Sequence, residues 1–185
     1  GGNSMPLLKE KMYTTDDIYA LPSGKRAELI QGQIYAMAPP TSTHQRIVNY
    51  VSTEINLYIR KNSGSCEVFP APFAVFLRGD NRTYVEPDLS VICDRDKVDE
   101  KGCHGAPDWV IEIVSPSSRR MDYYTKLAEY KEAGVREYWI VDPCKKYVIV
   151  YDLEHEEAPM VCPLNGRVKA GIYEDLEIDF SEMKI

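Results

Sequence analysis

No stretch of this chain approaches the ~20 consecutive apolar residues that a membrane-spanning helix needs, so a membrane protein is not expected. The first residues, Gly1-Gly2-Asn3-Ser4 before Met5, are small and polar and lack the apolar core of a secretory signal. They read as a cloning remnant and stand outside fold reasoning. There is no C-x-x-C and no Cys/His set at zinc spacing; Cys103-His104 is a single adjacent pair. The five cysteines, Cys66, Cys93, Cys103, Cys144 and Cys162, are an odd and widely spaced set. They read as free thiols in a reducing cytoplasm. Positive charge is in deficit, with a net charge of −7, which argues against a protein that coats nucleic acid by electrostatics alone. The segment from Pro143 onward holds nine acids and five bases, so −4 of that −7 lies there. A metal site itself needs carboxylates, so acidity lowers a nuclease reading without excluding it. Internal repeats and low-complexity segments are absent.

What is present fits a globular chain. It has 185 residues, 44% hydrophobic and 28% charged, enough to bury a sizeable core without staples. The reading is a tail over residues 1–13 and one domain over 14–185. Thr14-Thr15-Asp16-Asp17 reads as a capped helix start, ending near Leu21-Pro22. Glu28 to Ile30 and Gln33 to Met37 flank Gln31-Gly32, the pattern of a hairpin. Thr41 caps a long helix running to about Arg60, where Ile47, Val48, Val51, Ile55, Tyr58 and Ile59 recur at helical spacing. Strands follow at 66–69, 73–77 and 85–93, then a polar loop from Asp94 to Pro107 that is a candidate for mobility. Asp108 to Val114 reads as a strand, Ser118 to Ala133 as a helix closed by Gly134, and Glu137 to Val141 as a strand. Tyr147 to Leu153 and 172–178 read as peripheral strands. This order predicts an α/β (α+β) fold with a mixed sheet and helices on both faces.

Two acids stand out. On the strand Val110-Ile111-Glu112-Ile113-Val114, Glu112 shares a face with Val110 and Val114. A carboxylate there is costly to bury without a partner. The bland partner is Arg119 or Arg120 just downstream. Asp88 follows Pro87 at a strand entry, where a turn-forming role is ordinary. If the two strands pair, both carboxylates converge, which suits a hard divalent cation, Mg²⁺ most readily. Such a cation activates water and neutralises phosphate charge. His44, in the first turn of its helix, is a candidate phosphate donor, against the blander reading of a capping-region histidine. Trp109 and Trp139 read as core. Tyr123, Tyr124 and Tyr130 are candidates for base stacking, with helix packing the cheaper explanation.

Pro87-Asp88 followed by Glu112-Ile113-Val114 resembles the PD-(D/E)XK nuclease superfamily. The longer run from Pro107 to Ser118, then Asp122, Lys126, Tyr130 and 134–143, looks like one bacterial branch, the Uma-two family of restriction-endonuclease-like proteins, described as a domain of unknown function. Glu28-Leu29-Ile30-Gln31-Gly32 and Ala38-Pro39-Pro40 with His44 resemble its N-terminal signature. The resemblance covers roughly residues 14–155. It implies a restriction-endonuclease-like fold with an extra N-terminal hairpin, and Mg²⁺-dependent (or Mn²⁺-dependent) cleavage of DNA. Asp88, Glu112 and the Ile113 carbonyl would be metal ligands. The lysine of the pattern should stand at 114, where this chain has Val114, so the ammonium that would stabilise the reacting phosphate is missing there. A helix lysine is thought to take that role in the family, and Lys126 matches its position. The alternative is an ordinary Asp122–Lys126 pair on a solvated helix face. Glu28 resembles the family's early glutamate, against a solvent-facing strand residue. A fold kept for binding or scaffolding without chemistry, or a hydrolase for another phosphate ester, are the rival functions. A homodimer suits double-strand cutting by analogy.

Overall fold

The computed structural model describes residues 10–185; the proposed cloning remnant lies outside the described residues. The first helix, α1 (Thr15–Tyr19), opens on a reciprocal capping box between Thr14 and Asp17. Strands β1 (Ala27–Ile30) and β2 (Gln33–Ala36) form a two-stranded hairpin. Gln31 and Gly32 both take positive φ at its turn, 48° and 78°, as a two-residue hairpin of this hand requires. Helix α2 (Ser42–Lys61) buries Ile47, Val51, Ile55 and Ile59, the expected stripe, and Thr41 caps it by accepting the His44 N–H.

Then come β3 (Glu67–Pro70), β4 (Val75–Phe76) and β5 (Leu89–Ile92). The strand expected over 85–93 is therefore split. Val85 bridges to Val75, and the ladder of β5 starts only at Leu89. Pro87 has no N–H to give a ladder and breaks the run. The polar stretch 94–107 is not an irregular loop. It holds a 3-10 turn (Arg95–Lys97) and the strands β6 (Val98–Asp99) and β7 (Gly102–His104), with β7 parallel to β4. Gly102 is required there: a Cβ would sit 2.2 Å from the Ala74 carbonyl oxygen.

Strand β8 (Trp109–Ile113) follows, and then a π-helical segment (Met121–Thr125) runs into α3 (Lys126–Ala133). Gly134 closes α3 in the left-handed region, as expected. Strands β9 (Glu137–Asp142), β10 (Tyr147–Asp152), β11 (Met160–Pro163), β12 (Arg167–Lys169) and β13 (Glu177–Asp179) complete the chain. The main sheet has six strands in the order β11-β10-β9-β8-β5-β3. Only β8 and β9 run parallel within it, joined by the crossover through α3. β10 is thus an interior strand of the main sheet, not the peripheral one expected.

Alternation along β8 divides the core. Trp109, Ile111 and Ile113 face α2, together with Trp139 and Val141. Val110 and Val114 face α3, together with Tyr138, Ile140 and Tyr130. The mixed sheet with a helix on each face is as the sequence predicts.

One reading is corrected outright. Cys66 and Cys93 are joined in a disulfide; among the five cysteines, the free ones are Cys103, Cys144 and Cys162. The sheet register explains the pairing, because β3 sets Glu67 opposite Ile92 and the next pair outward is Cys66 and Cys93. No described helix is long and apolar enough to cross a membrane.

Candidate active site

Strands β5 and β8 are antiparallel with Leu89 opposite Ile111. One residue further in the same register, Asp88 stands opposite Glu112. The two are stitched together by their backbones. Asp88 N–H donates to Glu112 Oε1 at 2.8 Å, and Ile113 N–H donates to Asp88 Oδ2 at 2.7 Å. The strand break at Pro87 leaves the Asp88 N–H free for this use. Glu112 has the even-numbered phase of β8, so its carboxylate lies on the α3 face.

From that face comes Lys126. Its ammonium donates to Glu112 Oε2 and lies 2.8 Å from Glu28 Oε2. Lys126 and Asp122 are both buried, so the solvated surface pair is not what forms. Glu28 is buried too, at 5% exposed, and is not a solvent-facing strand residue. Its other contact is the Glu86 N–H, 2.8 Å away. The π segment lies directly before Lys126; such wide turns are commonly found at functional sites. Val114, where the pattern wants a lysine, is packed in the α3-side core.

His44 approaches from α2, with Nε2 3.0 Å from Asp88 Oδ1. It and Asp88 form the open side of the cluster: their side chains are 14% and 18% exposed, against 2% for Glu112 and 4% for Lys126. An open cleft of about 410 Å³, lined by Thr41, Gln45, Arg46 and Asn49, lies along the same end of α2. Arg119, a candidate partner for Glu112, instead binds Asp142.

The charges do not balance. The Lys126 ammonium meets Glu28 and Glu112, and the charges of Asp88 and Asp122 add to those around Glu112. Burial pushes the Glu112 carboxyl up; Lys126 opposes this, and the charges of Asp88, Asp122 and Glu28 add to it. Asp122 is pushed up to about 6, first by burial, with Lys126 and the Ser118 hydroxyl pulling the other way. Burial lowers Lys126, but Glu112 and Glu28 outweigh it and hold the ammonium charged. Burial likewise lowers His44, and the bond and charge of Asp88 raise it above its ordinary value. Asp122 was missed as a member of this cluster. Its spacing of four from Lys126 was visible; its burial was not.

The chain matches the model of the family described as "Uma2: Putative restriction endonuclease" over residues 15–176. It belongs to the Uma2 family. Among curated proteins, an uncharacterized protein (sll1609) of Synechocystis sp. is 25% identical to this Uma2 chain over 164 residues, 87% of each. Among solved structures, one from Anabaena variabilis described as a "putative nuclease belonging to DUF820" superposes with a TM-score of 0.74. It is 24% identical, covering 92% of this chain and 96% of that one, and shows that the two share a fold.

The donor chemistry of the Uma2 site fits a divalent cation. Its carboxylates are hard oxygen donors in excess over buried positive charge, and the most accessible of them, Asp88, stands opposite Glu112. Among the described residues no three His, Cys, Asp or Glu side chains converge as a metal site by themselves. A cation here would rest on two carboxylates, completed by backbone carbonyl and water.

Proposed function

We propose that this protein is a metal-dependent endonuclease that hydrolyses DNA phosphodiester bonds. The observation that carries this reading is the return of an ammonium to Glu112. Lys126, from the crossover helix, meets the carboxylate that the β5–β8 register sets opposite Asp88. Family membership supports the nuclease chemistry in general terms.

Asp88, Glu112 and the Ile113 carbonyl would hold the ion, Mg²⁺ or Mn²⁺. When bound, it lowers the pKa of a coordinated water and neutralises charge on the phosphate. The residues do the rest. The Lys126 Nζ keeps its proton between Glu112 and Glu28, so it can orient the attacking water by donation and stabilise charge growing on the phosphate. The backbone donations from Asp88 and Ile113 fix both carboxylates before substrate arrives. His44, on the open side, is placed to donate from Nε2 to a phosphate oxygen. The depth of Glu112 and Lys126 keeps bulk water from competing with these bonds.

The test is nicking of supercoiled plasmid with Mg²⁺ or Mn²⁺. Wild type should convert it, and Glu112→Gln should not. Calorimetric titration should show divalent binding that Asp88→Asn removes. Cleavage at the wild-type rate by Glu112→Gln rejects the assignment. Absence of both cleavage and metal affinity in wild type favours the non-catalytic binding module.

A further inference from the structure

Asp88 and Glu112 are placed by the register of the main sheet, but Lys126 is not. It is delivered by a short helix after a π turn, and Glu28 comes from a separate two-stranded hairpin. Backbone bonds tie the hairpin to the run before β5, Leu29 to Tyr84 and Gly32 to Arg82, but none of them reaches α3. Three residues past each of the paired charges, a second rung joins the same elements. Gln31 Nε2, at the hairpin turn, donates to Glu129 Oε1 on α3 at 2.5 Å. Arg78, just past β4, closes the rung. Its Nε and Nη2 donate to Glu129 Oε2 at 2.9 and 2.6 Å, and its Nη1 donates to Glu132 Oε1 at 3.0 Å. Glu129 is buried at 4% exposed, with both oxygens bonded. Both Arg78 bonds to Glu129 fall on one oxygen, while its contact with Glu132 is bidentate, Nη2 also donating to Oε2 at 2.9 Å; charge-assisted contacts of this kind fix geometry as well as adding energy.

We propose that Gln31, Arg78 and Glu129 form a clamp whose function is to position the Lys126 ammonium between Glu28 and Glu112. The catalytic part of this rests on the nuclease reading above; the positional part does not. None of the three bonds to Lys126, Glu112 or Asp88 directly. They act through Lys126 by holding α3 and the hairpin at one separation. Misplacement by about 1 Å is enough to cost on the order of 100-fold in rate.

The experiment uses the full chain and two variants. Gln31→Asn keeps the left-handed turn and the amide but shortens the reach to Glu129. The double variant Arg78→Met/Glu129→Met removes the charges together and leaves no buried carboxylate unpaired. Each is pulsed with acetic anhydride, and acetylation of Lys126 is read by mass spectrometry. Circular dichroism reports the fold. Plasmid turnover and Mg²⁺ affinity are measured alongside. The clamp predicts Lys126 acetylation at least about 10-fold faster than in wild type, kcat lower by about 10- to 100-fold, and KM and Mg²⁺ affinity unchanged. Lys126 as protected in the folded double variant as in wild type overturns the proposal. If the double variant does not fold, Gln31→Asn decides, since Gln31 is exposed. If wild type cuts no DNA, the nuclease reading fails, and Lys126 acetylation still settles the clamp.

Discussion

At the scale of single residues, the site is a problem of too many carboxylates around one ammonium. Asp122 shows what that costs. Its side chain is buried at 3% exposed and accepts from the Ser118 hydroxyl at 2.7 Å, yet its carboxyl sits near pH 6. An unfolded aspartate loses its proton near pH 3.9. Between about 4 and 6, therefore, the folded state holds a proton that the unfolded state has released. Stability falls as pH rises through that window and levels off above it. Asn at this position keeps an acceptor for Ser118 and carries no charge. Asp122→Asn should match wild type near pH 3.5 and become more stable by roughly 1–3 kcal/mol by pH 7, in urea unfolding without divalent ions. A constant difference across pH would mean that the charge on Asp122 is compensated. Glu112 was legible in the sequence because burial of a strand-centre acid needs a reason. Glu28 is marked only by family likeness, because its own strand is short and says nothing of the helix that covers it. Lys126 was legible only through family likeness, since its spacing from Asp122 equally describes a solvated pair.

Elements were read well where periodicity is regular and poorly where the chain turns within a few residues. The stripe on α2 and the runs of β8 and β9 are long enough to show their phase. The β6–β7 hairpin has strands of two and three residues inside an otherwise polar stretch, with Gly102 held against Ala74, so its sequence reads as a loop. The π segment has no pattern of its own; Tyr124, for which helix packing is the cheaper expectation, is 73% exposed. What fixes the start of this helix is Asp142, at the end of β9. It is fully buried and accepts from Arg119 Nη1 at 2.8 Å, the Tyr123 hydroxyl at 2.6 Å and the Lys145 N–H at 2.9 Å. Burial pushes its carboxyl up, but the Tyr123 hydroxyl, the Lys145 N–H and Arg119 outweigh that and hold it below the ordinary value. A depressed carboxyl adds stability that is complete above its unfolded pKa, near 3.9, and is lost as pH falls through the folded value. Asp142→Ala should cost about 2–4 kcal/mol at pH 7 by urea unfolding, and less at pH 3. An equal loss at both pH values would assign the effect to packing rather than to the charge.

At the scale of the molecule, the main sheet has an edge at β11 that carries two exposed apolar residues, Met160 and Val161, 63% and 65% exposed. Such an edge invites pairing with a second copy. The backbone argues otherwise. Leu164 N–H donates to the Lys146 carbonyl, and β11 pairs with β10 so that Cys162 faces Val148 and Met160 faces Val150. By alternation, Leu164, Cys162 and Met160 turn their backbone groups toward β10. Val161 turns outward, and so do Pro163 and Pro159, which have no N–H to offer. The outer edge therefore presents one donor, at Val161. A two-fold pairing through that edge would form two hydrogen bonds at its centre and set proline carbonyls against each other on either side. Any pair of copies would have to form through another surface. Pro159→Val/Pro163→Val restores two outward donors and leaves the inner ladder intact. It should self-associate through this edge, sedimenting faster than wild type as concentration rises, with the same far-ultraviolet circular dichroism at low concentration. Identical sedimentation of the two proteins across the range would show that the prolines do not guard this edge.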